Sequence, residues 1–320
     1  MNGLELARSY YETCGRPMLE KEFPELLPYL ALGFVGSGSE HFGYDDAVSQ
    51  DHDYEPGFCV FLPGEDVVDR RAAFRLERAY AKLPKEYGGF RRQMLSPVGG
   101  NRNGVIRTAE FYAAHVGWRM AEAGEPEGLS IHAWLHLPDE ALAEATNGEV
   151  YSDPYGEFSR IRAALLDMPE DVRLKRLAGQ LFIMAQAGQY NFDRCLRHHE
   201  PDAAQLACVR FVEAYMKATG LLERRYTPFY KWSFRALRST QNGPEIEEIL
   251  SRLLAGDNRD GQTAQVKRCD IETLASRIIL TLQQQGLTDA VCGDLEKHAY
   301  SVNDHVRNGE IRNLHLLTCV

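Results

Sequence analysis

Two aspartates one residue apart, Asp51 and Asp53, form the motif in this sequence whose residue types could do chemistry. If a strand runs from Asp51 to Phe61, side chains at positions i and i+2 point to the same face, so the two carboxylates converge. Paired carboxylates suit a hard divalent cation such as Mg²⁺, which takes oxygen ligands and leaves positions for water or substrate phosphates. The sequence therefore predicts a metal site at Asp51 and Asp53 that holds one or two Mg²⁺ ions.

A turn of small residues precedes this motif. The apolar run at 29–35 ends in Gly36-Ser37-Gly38-Ser39, which predicts a buried strand, a tight turn and then a short helix. Backbone N–H groups in such a turn can hold phosphate oxygens together with the Ser37 hydroxyl. Gly36 and Ser37 are therefore predicted to bind nucleotide phosphates beside the metal, a geometry that favours in-line attack at phosphorus. Asp46 is predicted to cap main-chain N–H groups near the turn.

Apolar periodicity places these motifs in an N-terminal α/β region. The pattern predicts strands at 29–35, 58–62 and 105–108, and helices at 4–14, 67–83 and 109–122. From residue 131 onward the apolar spacing is mostly helical, with a helix at 135–146 and about five antiparallel helices between 171 and 307. We therefore expect an α+β fold in two domains, an α/β domain at 1–130 and a helical bundle at 131–320.

Composition limits the partners and the compartment. The chain has 36 basic and 46 acidic residues, a net charge of −10, which disfavours a nucleic acid held mainly through its phosphates without excluding one. Its seven cysteines have neither metal nor disulfide spacing, which indicates a reducing, cytoplasmic environment. No apolar run approaches the ~20 residues that span a bilayer, and no signal-peptide pattern is present, so we expect no membrane partner.

The ordered elements Gly36-Ser37, Gly43 and Asp51-His52-Asp53 resemble the signature of the DNA polymerase β-like nucleotidyltransferase superfamily. The longer string over 36–54 is similar to the DUF4037 family. Two downstream segments extend this similarity, Gly148–Asp153 and Arg224–Trp232. The overall plan, an α/β domain followed by a helical bundle, resembles that of aminoglycoside nucleotidyltransferases.

This resemblance implies a polymerase β-like fold and a Mg²⁺-dependent nucleotidyltransferase in which Asp51 and Asp53 are catalytic as metal ligands. The implied reaction moves a nucleoside monophosphate, expected to be AMP from ATP, to a hydroxyl of a small-molecule acceptor and releases pyrophosphate. In related enzymes the helical domain supplies a lysine or tyrosine to the triphosphate, and Lys231 is the candidate here. Its alternative role is to lie beside Tyr226, Tyr230 and Trp232, which are expected to be core aromatics.

One part of the superfamily pattern is missing from this sequence. A third carboxylate usually comes from a later strand, but the strand predicted at 104–108 contains none, and Glu110 and Asp69 fall in predicted helices. Three interpretations stay open: a third acid from elsewhere, a site with two carboxylates, or a degenerate protein that binds nucleotide without catalysis. Transfer to a macromolecule, a tRNA end or a protein hydroxyl, is a further alternative.

Overall fold

The computed structural model describes residues 1–46, 48–49, 54–92, 102–121 and 127–320. Asp51 and Asp53 lie outside these described residues, so the metal site stays a prediction. The chain forms two compact units. Unit 1 comprises 1–129 and 140–167, and unit 2 comprises 130–139 and 168–320.

The secondary structure of the described residues consists of short strands in unit 1 and helices throughout. The strands are β1 (Ala31–Phe34), β2 (Cys59–Leu62), β3 (Glu86–Tyr87), β4 (Phe90–Arg91), β5 (Gly104–Arg107) and β6 (Glu149–Ser152). The helices are α1 (Gly3–Tyr10), α2 (Arg16–Glu22), α3 (Ser39–Phe42), α4 (Arg70–Tyr80), α5 (Thr108–Val116), α6 (Ile131–His136), α7 (Asp139–Thr146), α8 (Glu157–Leu166), α9 (Glu170–Met184), α10 (Asp193–Arg197), α11 (Pro201–Leu222), α12 (Tyr230–Arg238), α13 (Gly243–Ala255), α14 (Gly261–Gln284), α15 (Leu295–Asp304) and α16 (Gly309–Asn313). π-Helical segments lie at Tyr11–Gly15 and Ala185–Phe192, and 3₁₀ turns at Leu27–Tyr29 and Leu316–Cys319.

The sheet that organises unit 1 has the strand order β5-β2-β1-β6. β1 is antiparallel to both of its neighbours, and β2 is parallel to β5. The strands predicted at 29–35, 58–62 and 105–108 are confirmed, each with slightly different ends. β6 was not predicted, because its four residues are all partly exposed and carry no apolar alternation. The mixed α/β character and the helical C-terminal part are thus confirmed, whereas the polymerase β-like fold and the antiparallel bundle stay predictions.

The expectation that a strand begins near Asp51 is wrong for the residues described. β2 begins at Cys59, and residues 54–58 before it are irregular. Pro56 explains this start, because proline has no N–H to donate to a strand ladder. The alternation argument for Asp51 and Asp53 therefore has no support from the strand.

At one end of the sheet lie the last residues of β1 and the first residues of the other three strands. Gly33 pairs with Cys59, Cys59 pairs with Gly104, and Phe34 pairs with Glu149. Because β1 runs opposite to the other three, its carboxyl end lies beside their amino ends. The turn that follows β1 therefore meets the residues directly before β2, β5 and β6.

Buried aromatic and aliphatic side chains cover both faces of β2. On one face Val60 and Leu62 belong to a cluster with Tyr10 of α1 and Leu76 of α4. On the other face Phe61 stacks on Phe158 of α8, with ring centroids 4.0 Å apart. Since alternate residues of a strand point to opposite faces, β2 is buried on both sides. This burial holds β2 beside β1 and the turn that follows it.

A helix predicted at 135–146 is two helices in the structure. α6 ends at His136 and α7 begins at Asp139, with Leu137 extended at φ −65° and ψ 130°. Pro138 causes the break, because its ring disfavours a helical conformation in the residue before it and it cannot donate a main-chain hydrogen bond.

In unit 2, residues 168–320 are all described and contain helices, turns and irregular segments but no strand. The buried ammonium of Lys175 on α9 donates to Asn303 Oδ1 at 2.8 Å, to the Arg312 carbonyl at 3.1 Å and to the Leu314 carbonyl at 2.5 Å. Burial lowers the pKa of Lys175. Three neutral oxygens satisfy the three N–H donors of this ammonium, and α9 thereby holds the C-terminal turns.

Replacement of Gly148 by alanine tests how tightly the chain passes the end of β1. Gly148 has φ +64°, and an added Cβ would overlap the Phe34 carbonyl oxygen. We expect Gly148→Ala to lower the free energy of unfolding by about 3 kcal/mol or more, because the backbone must move to relieve this overlap. Urea denaturation would measure the change.

Gly156→Ala is the matched control, because Gly156 also has a positive φ, +80°, but open space around it. It should cost only the conformational penalty, about 1 kcal/mol. Equal costs for the two variants would contradict the close approach of Gly148 to β1.

Candidate functional site

The glycine turn, Gly36–Gly38, leads from β1 into α3. Gly36 has φ +140° and Gly38 has φ +125°, conformations that residues with a Cβ rarely adopt. α3 is a single turn that ends at Gly43, φ +67°, in the left-handed conformation. The predicted order of strand, tight turn and short helix is therefore confirmed.

Side chains from α7 and the residue after it hold the glycine turn. Gly36 N–H donates to Asn147 Oδ1 at 3.0 Å, and Asn147 Nδ2 donates to the Gly36 carbonyl at 2.7 Å. The Ser37 hydroxyl donates to Glu144 Oε2 at 2.6 Å, a length typical of a hydroxyl bound to a carboxylate. Two of the groups predicted to contact phosphate thus have protein partners in this structure.

Other main-chain donors of the turn remain available. None of the described residues accepts a hydrogen bond from the N–H of Ser37, Gly38 or Ser39. Successive N–H groups in a turn of this kind form a concave cluster of positive partial charge. The glycine turn can therefore still hold the oxygens of an anion.

The carboxylate of Glu40 lies against the same turn. Its Oε1 is 3.5 Å from His41 Nδ1 and 3.7 Å from Arg102 Nη1. Burial raises the pKa of Glu40, but its contact with His41 and the charge of Arg102 outweigh burial and hold the pKa below its ordinary value of 4.5. Glu40 is therefore negatively charged at neutral pH, and a Cβ at Gly38 would overlap it.

His41 is fully buried and stacks on Phe34, with ring centroids 3.9 Å apart. Neither ring nitrogen makes a hydrogen bond to a described residue. Its Nε2 faces Gly36, at 3.9 Å from where a Cβ on that glycine would lie. A buried polar atom without a hydrogen bond lowers the stability of the fold by about 1–3 kcal/mol. The ring of His41 therefore indicates that a ligand group binds at the glycine turn.

Two aspartates after α3 accept hydrogen bonds from main-chain N–H groups of nearby segments. Asp46 Oδ1 accepts hydrogen bonds from the N–H groups of Val48 and Ser49 at 3.0 and 3.1 Å, which confirms the predicted cap. Asp45 Oδ2 accepts from Gly3 N–H at 2.9 Å. Burial raises the pKa of Asp45.

Carboxylates that could assist a metal at the turn are Glu40 and Glu144. Among the described residues no group of three or more histidine, cysteine, aspartate or glutamate side chains is arranged to hold a metal ion. Asp69 is occupied as the cap of α4, where it accepts from Ala72 N–H at 2.7 Å. Glu110 is exposed in the first turn of α5. Both thus lie at or in helices, as the sequence predicted.

Lys231 lies in the first turn of α12 in unit 2, where its side chain is exposed. Its Nζ is 4.9 Å from the centre of the Trp232 ring. Tyr230 is 73% exposed, so the expectation that it is a core aromatic is wrong. The assignment of Lys231 to the triphosphate stays a prediction.

Sequence reasoning missed the residues that hold the turn. Asn147 and Gly148 follow a helical pattern directly, and this is a helix-stop signal that the sequence does contain. The contact of Asn147 with Gly36 joins positions 111 residues apart and has no local signal. Glu40 and His41 were part of the motif, but nothing in their spacing indicates that both are buried.

Replacement of Glu40 by glutamine tests whether the negative charge of this side chain stabilises the fold. The lowered pKa of Glu40 means that its ionised form stabilises the fold above pH 4.5, the ordinary pKa, and that this contribution is lost as pH falls through the folded-state pKa. We expect Glu40→Gln to lower the free energy of unfolding by about 1–3 kcal/mol at neutral pH, and by less in acid. Urea denaturation at pH values on both sides of 4.5 would measure this.

Glu65→Gln is the control for that experiment. Glu65 accepts from Arg70 Nε at 2.8 Å on the surface, and exposed pairs contribute about 0–1 kcal/mol. A pH-independent cost at Glu40 would show that its charge has no role in the fold.

Comparisons with known proteins bear on part of the chain. The model of the DUF4037 family, a domain of unknown function, matches residues 134–233. This region includes Glu144, Asn147, β6 and Lys231, and the glycine turn lies before it. No curated protein matches the chain, and no solved structure matches it either. No helix among the described residues has both the length and the apolar character needed to cross a bilayer. Over residues 134–233, the chain is thus similar to the DUF4037 family.

Proposed function

We propose that the protein is a cytoplasmic, Mg²⁺-dependent nucleotidyltransferase. It moves a nucleoside monophosphate, AMP from ATP, to a hydroxyl of a small-molecule acceptor and releases pyrophosphate. The observation that carries this proposal is the glycine turn at the end of β1, whose free N–H groups lie beside the buried His41, a ring without a hydrogen bond to a described residue. All seven cysteines are free thiols, which agrees with a reducing compartment.

The charges around the turn favour a phosphate that carries a metal. Glu40 and Glu144 are carboxylates at the turn, and each would repel a bare phosphate oxygen. A divalent cation held by carboxylates would offset this repulsion and would stabilise the charge of the leaving pyrophosphate. The two carboxylates thus support a metal–nucleotide more than a simple anion.

Each residue has a definite task in the proposed reaction. The N–H groups of Ser37 and Gly38 bind phosphate oxygens, and Asp51 and Asp53 hold the Mg²⁺. Glu144, 2.6 Å from the Ser37 hydroxyl, supplies the further carboxylate that β5 lacks and accepts the proton of the attacking hydroxyl. Lys231 is the proposed cation for the triphosphate. Catalysis then consists mainly of positioning and electrostatic stabilisation.

A second candidate function is nucleotide binding without transfer. It is favoured by the hydrogen bonds that occupy Gly36 N–H and the Ser37 hydroxyl in this structure. The two functions differ in one measurable property, because only the transferase releases pyrophosphate when an acceptor is added. Transfer to a macromolecule would instead label an RNA or a protein in a cell lysate.

Calorimetric titration of the four nucleoside triphosphates, each with and without Mg²⁺, tests the proposed site. We expect one triphosphate to bind only with Mg²⁺ and to bind at least about tenfold more weakly to the Asp51→Asn/Asp53→Asn variant, a difference of ~1.4 kcal/mol. The reason is the loss of both negative charges that hold the metal.

Asp202→Asn/Asp289→Asn is the matched control, because it removes the same charge from side chains that are 82% and 88% exposed in unit 2. Its affinity should equal that of the wild type. Equal binding by the Asp51/Asp53 variant, or binding that ignores Mg²⁺, would contradict the metal site. Binding without pyrophosphate release for any hydroxylated acceptor would replace the transferase with the second candidate.

A further inference from the structure

The start of α12 presents aromatic rings to solvent. Phe229, directly before the helix, is 47% exposed, and Tyr230 is 73% exposed. Their ring centroids lie 4.4 Å apart with an angle of 48° between the planes. Large exposed aromatics that lie side by side are uncommon on a protein surface unless they bind a partner. These rings, with Lys231, Trp232 and Arg235, are called the aromatic–basic surface below.

Two cations flank the tryptophan of this surface. Lys231 Nζ lies 4.9 Å from the centre of the Trp232 ring, and the guanidinium carbon of Arg235 lies 5.0 Å from it. Both distances are within the range of cation–π interaction, which holds a long basic side chain in place beside an aromatic ring. The surface therefore combines ordered positive charge with exposed rings.

The local charge is opposite to that of the whole chain. Segment 224–238 contains no aspartate or glutamate, although the chain has a net charge of −10. Its basic residues are Arg224, Arg225, Lys231, Arg235 and Arg238. Of these, Lys231 and Arg235 belong to the aromatic–basic surface.

The basic residues of the segment divide into two groups. Three of them have ion-pair partners: Arg224 pairs with Glu170 at 2.8 Å, Arg225 with Glu223 at 3.5 Å and Arg238 with Glu247 at 2.6 Å. For Lys231, by contrast, the described residues provide no carboxylate within ion-pair distance. Its charge is therefore available to an anion at the exposed rings.

We propose that the aromatic–basic surface binds single-stranded nucleic acid. Exposed rings stack on the faces of unpaired bases, and a neighbouring lysine binds the phosphate between them. Two adjacent rings provide stacking positions for successive bases, whereas a free nucleotide has a single base. A base-paired duplex hides these faces, and an acidic peptide would leave the rings unused. The occupant that uses both features is therefore a single strand.

This inference shares Lys231 with the proposed transfer reaction but does not need its metal site. Strand binding needs residues of unit 2 only, and the metal ligands Asp51 and Asp53 have no part in it. If no transfer is measured but the strand binds, the transfer reaction is contradicted and this inference is not.

Fluorescence anisotropy with a labelled single-stranded RNA of roughly twelve nucleotides tests the proposal. We expect the full chain to bind it and Tyr230→Ala to bind about tenfold more weakly, because one stacking contact is lost. Lys231→Gln should reduce the slope of log affinity against log salt by about 0.7, the value for one phosphate contact on a single strand. The Asp51→Asn/Asp53→Asn variant should bind as the wild type does.

Tyr190→Ala is the matched control, because Tyr190 is also an exposed tyrosine of unit 2, 58% exposed, with Arg194 5.6 Å from its ring. It should leave the affinity unchanged. The proposal would be overturned by an absence of binding at low salt, by equal effects of the two tyrosine variants, or by equal affinity for a duplex of the same sequence. Complete displacement of the strand by millimolar ATP–Mg²⁺ would assign the surface to a free nucleotide instead.

Discussion

The close passage of Gly148 over the end of β1 is the constraint on which unit 1 depends. An added Cβ at this position would overlap the Phe34 carbonyl oxygen, so the chain that leaves α7 can follow this path only as glycine. The passage brings Asn147 to both main-chain groups of Gly36 and allows β6 to pair with β1. Arg162 closes the same corner with hydrogen bonds to the carbonyls of Thr146 and Asn147. A helix end, a strand and the glycine turn are thereby fixed as one piece.

That piece concentrates negative charge where a phosphate would bind. Glu40 approaches the turn from α3 and Glu144 from α7, while Arg102 arrives from the segment before β5. The only fully buried member, His41, has no hydrogen bond to a described residue at either ring nitrogen. Such an arrangement is stable only because the surrounding sheet fixes it, since each unpaired buried group is unfavourable by itself. The same rigidity is what a binding site for a metal–nucleotide requires.

Unit 2 is stabilised in a different way. Its stability comes from helices that pack around α9 and from the buried Lys175, which is satisfied entirely by neutral oxygens. Its surface at α12, by contrast, leaves Tyr230 exposed beside a lysine. A net charge counted over the whole chain hides this local excess of positive charge, because electrostatic attraction depends on charges within about one Debye length, ~8–10 Å. Composition therefore disfavoured a partner that the local surface favours.

Sequence by itself determined the features that depend on near neighbours. The strands at β1, β2 and β5, the turn at Gly36–Gly38 and the cap by Asp46 all follow from patterns within a few residues. The break at Pro138 was also local, and the helical apolar spacing concealed it. Only the tertiary structure decided that β6 joins the sheet, that Glu144 and Asn147 hold the turn and that Tyr230 is exposed. These facts join positions more than a hundred residues apart or depend on what covers a side chain, and no local pattern encodes either.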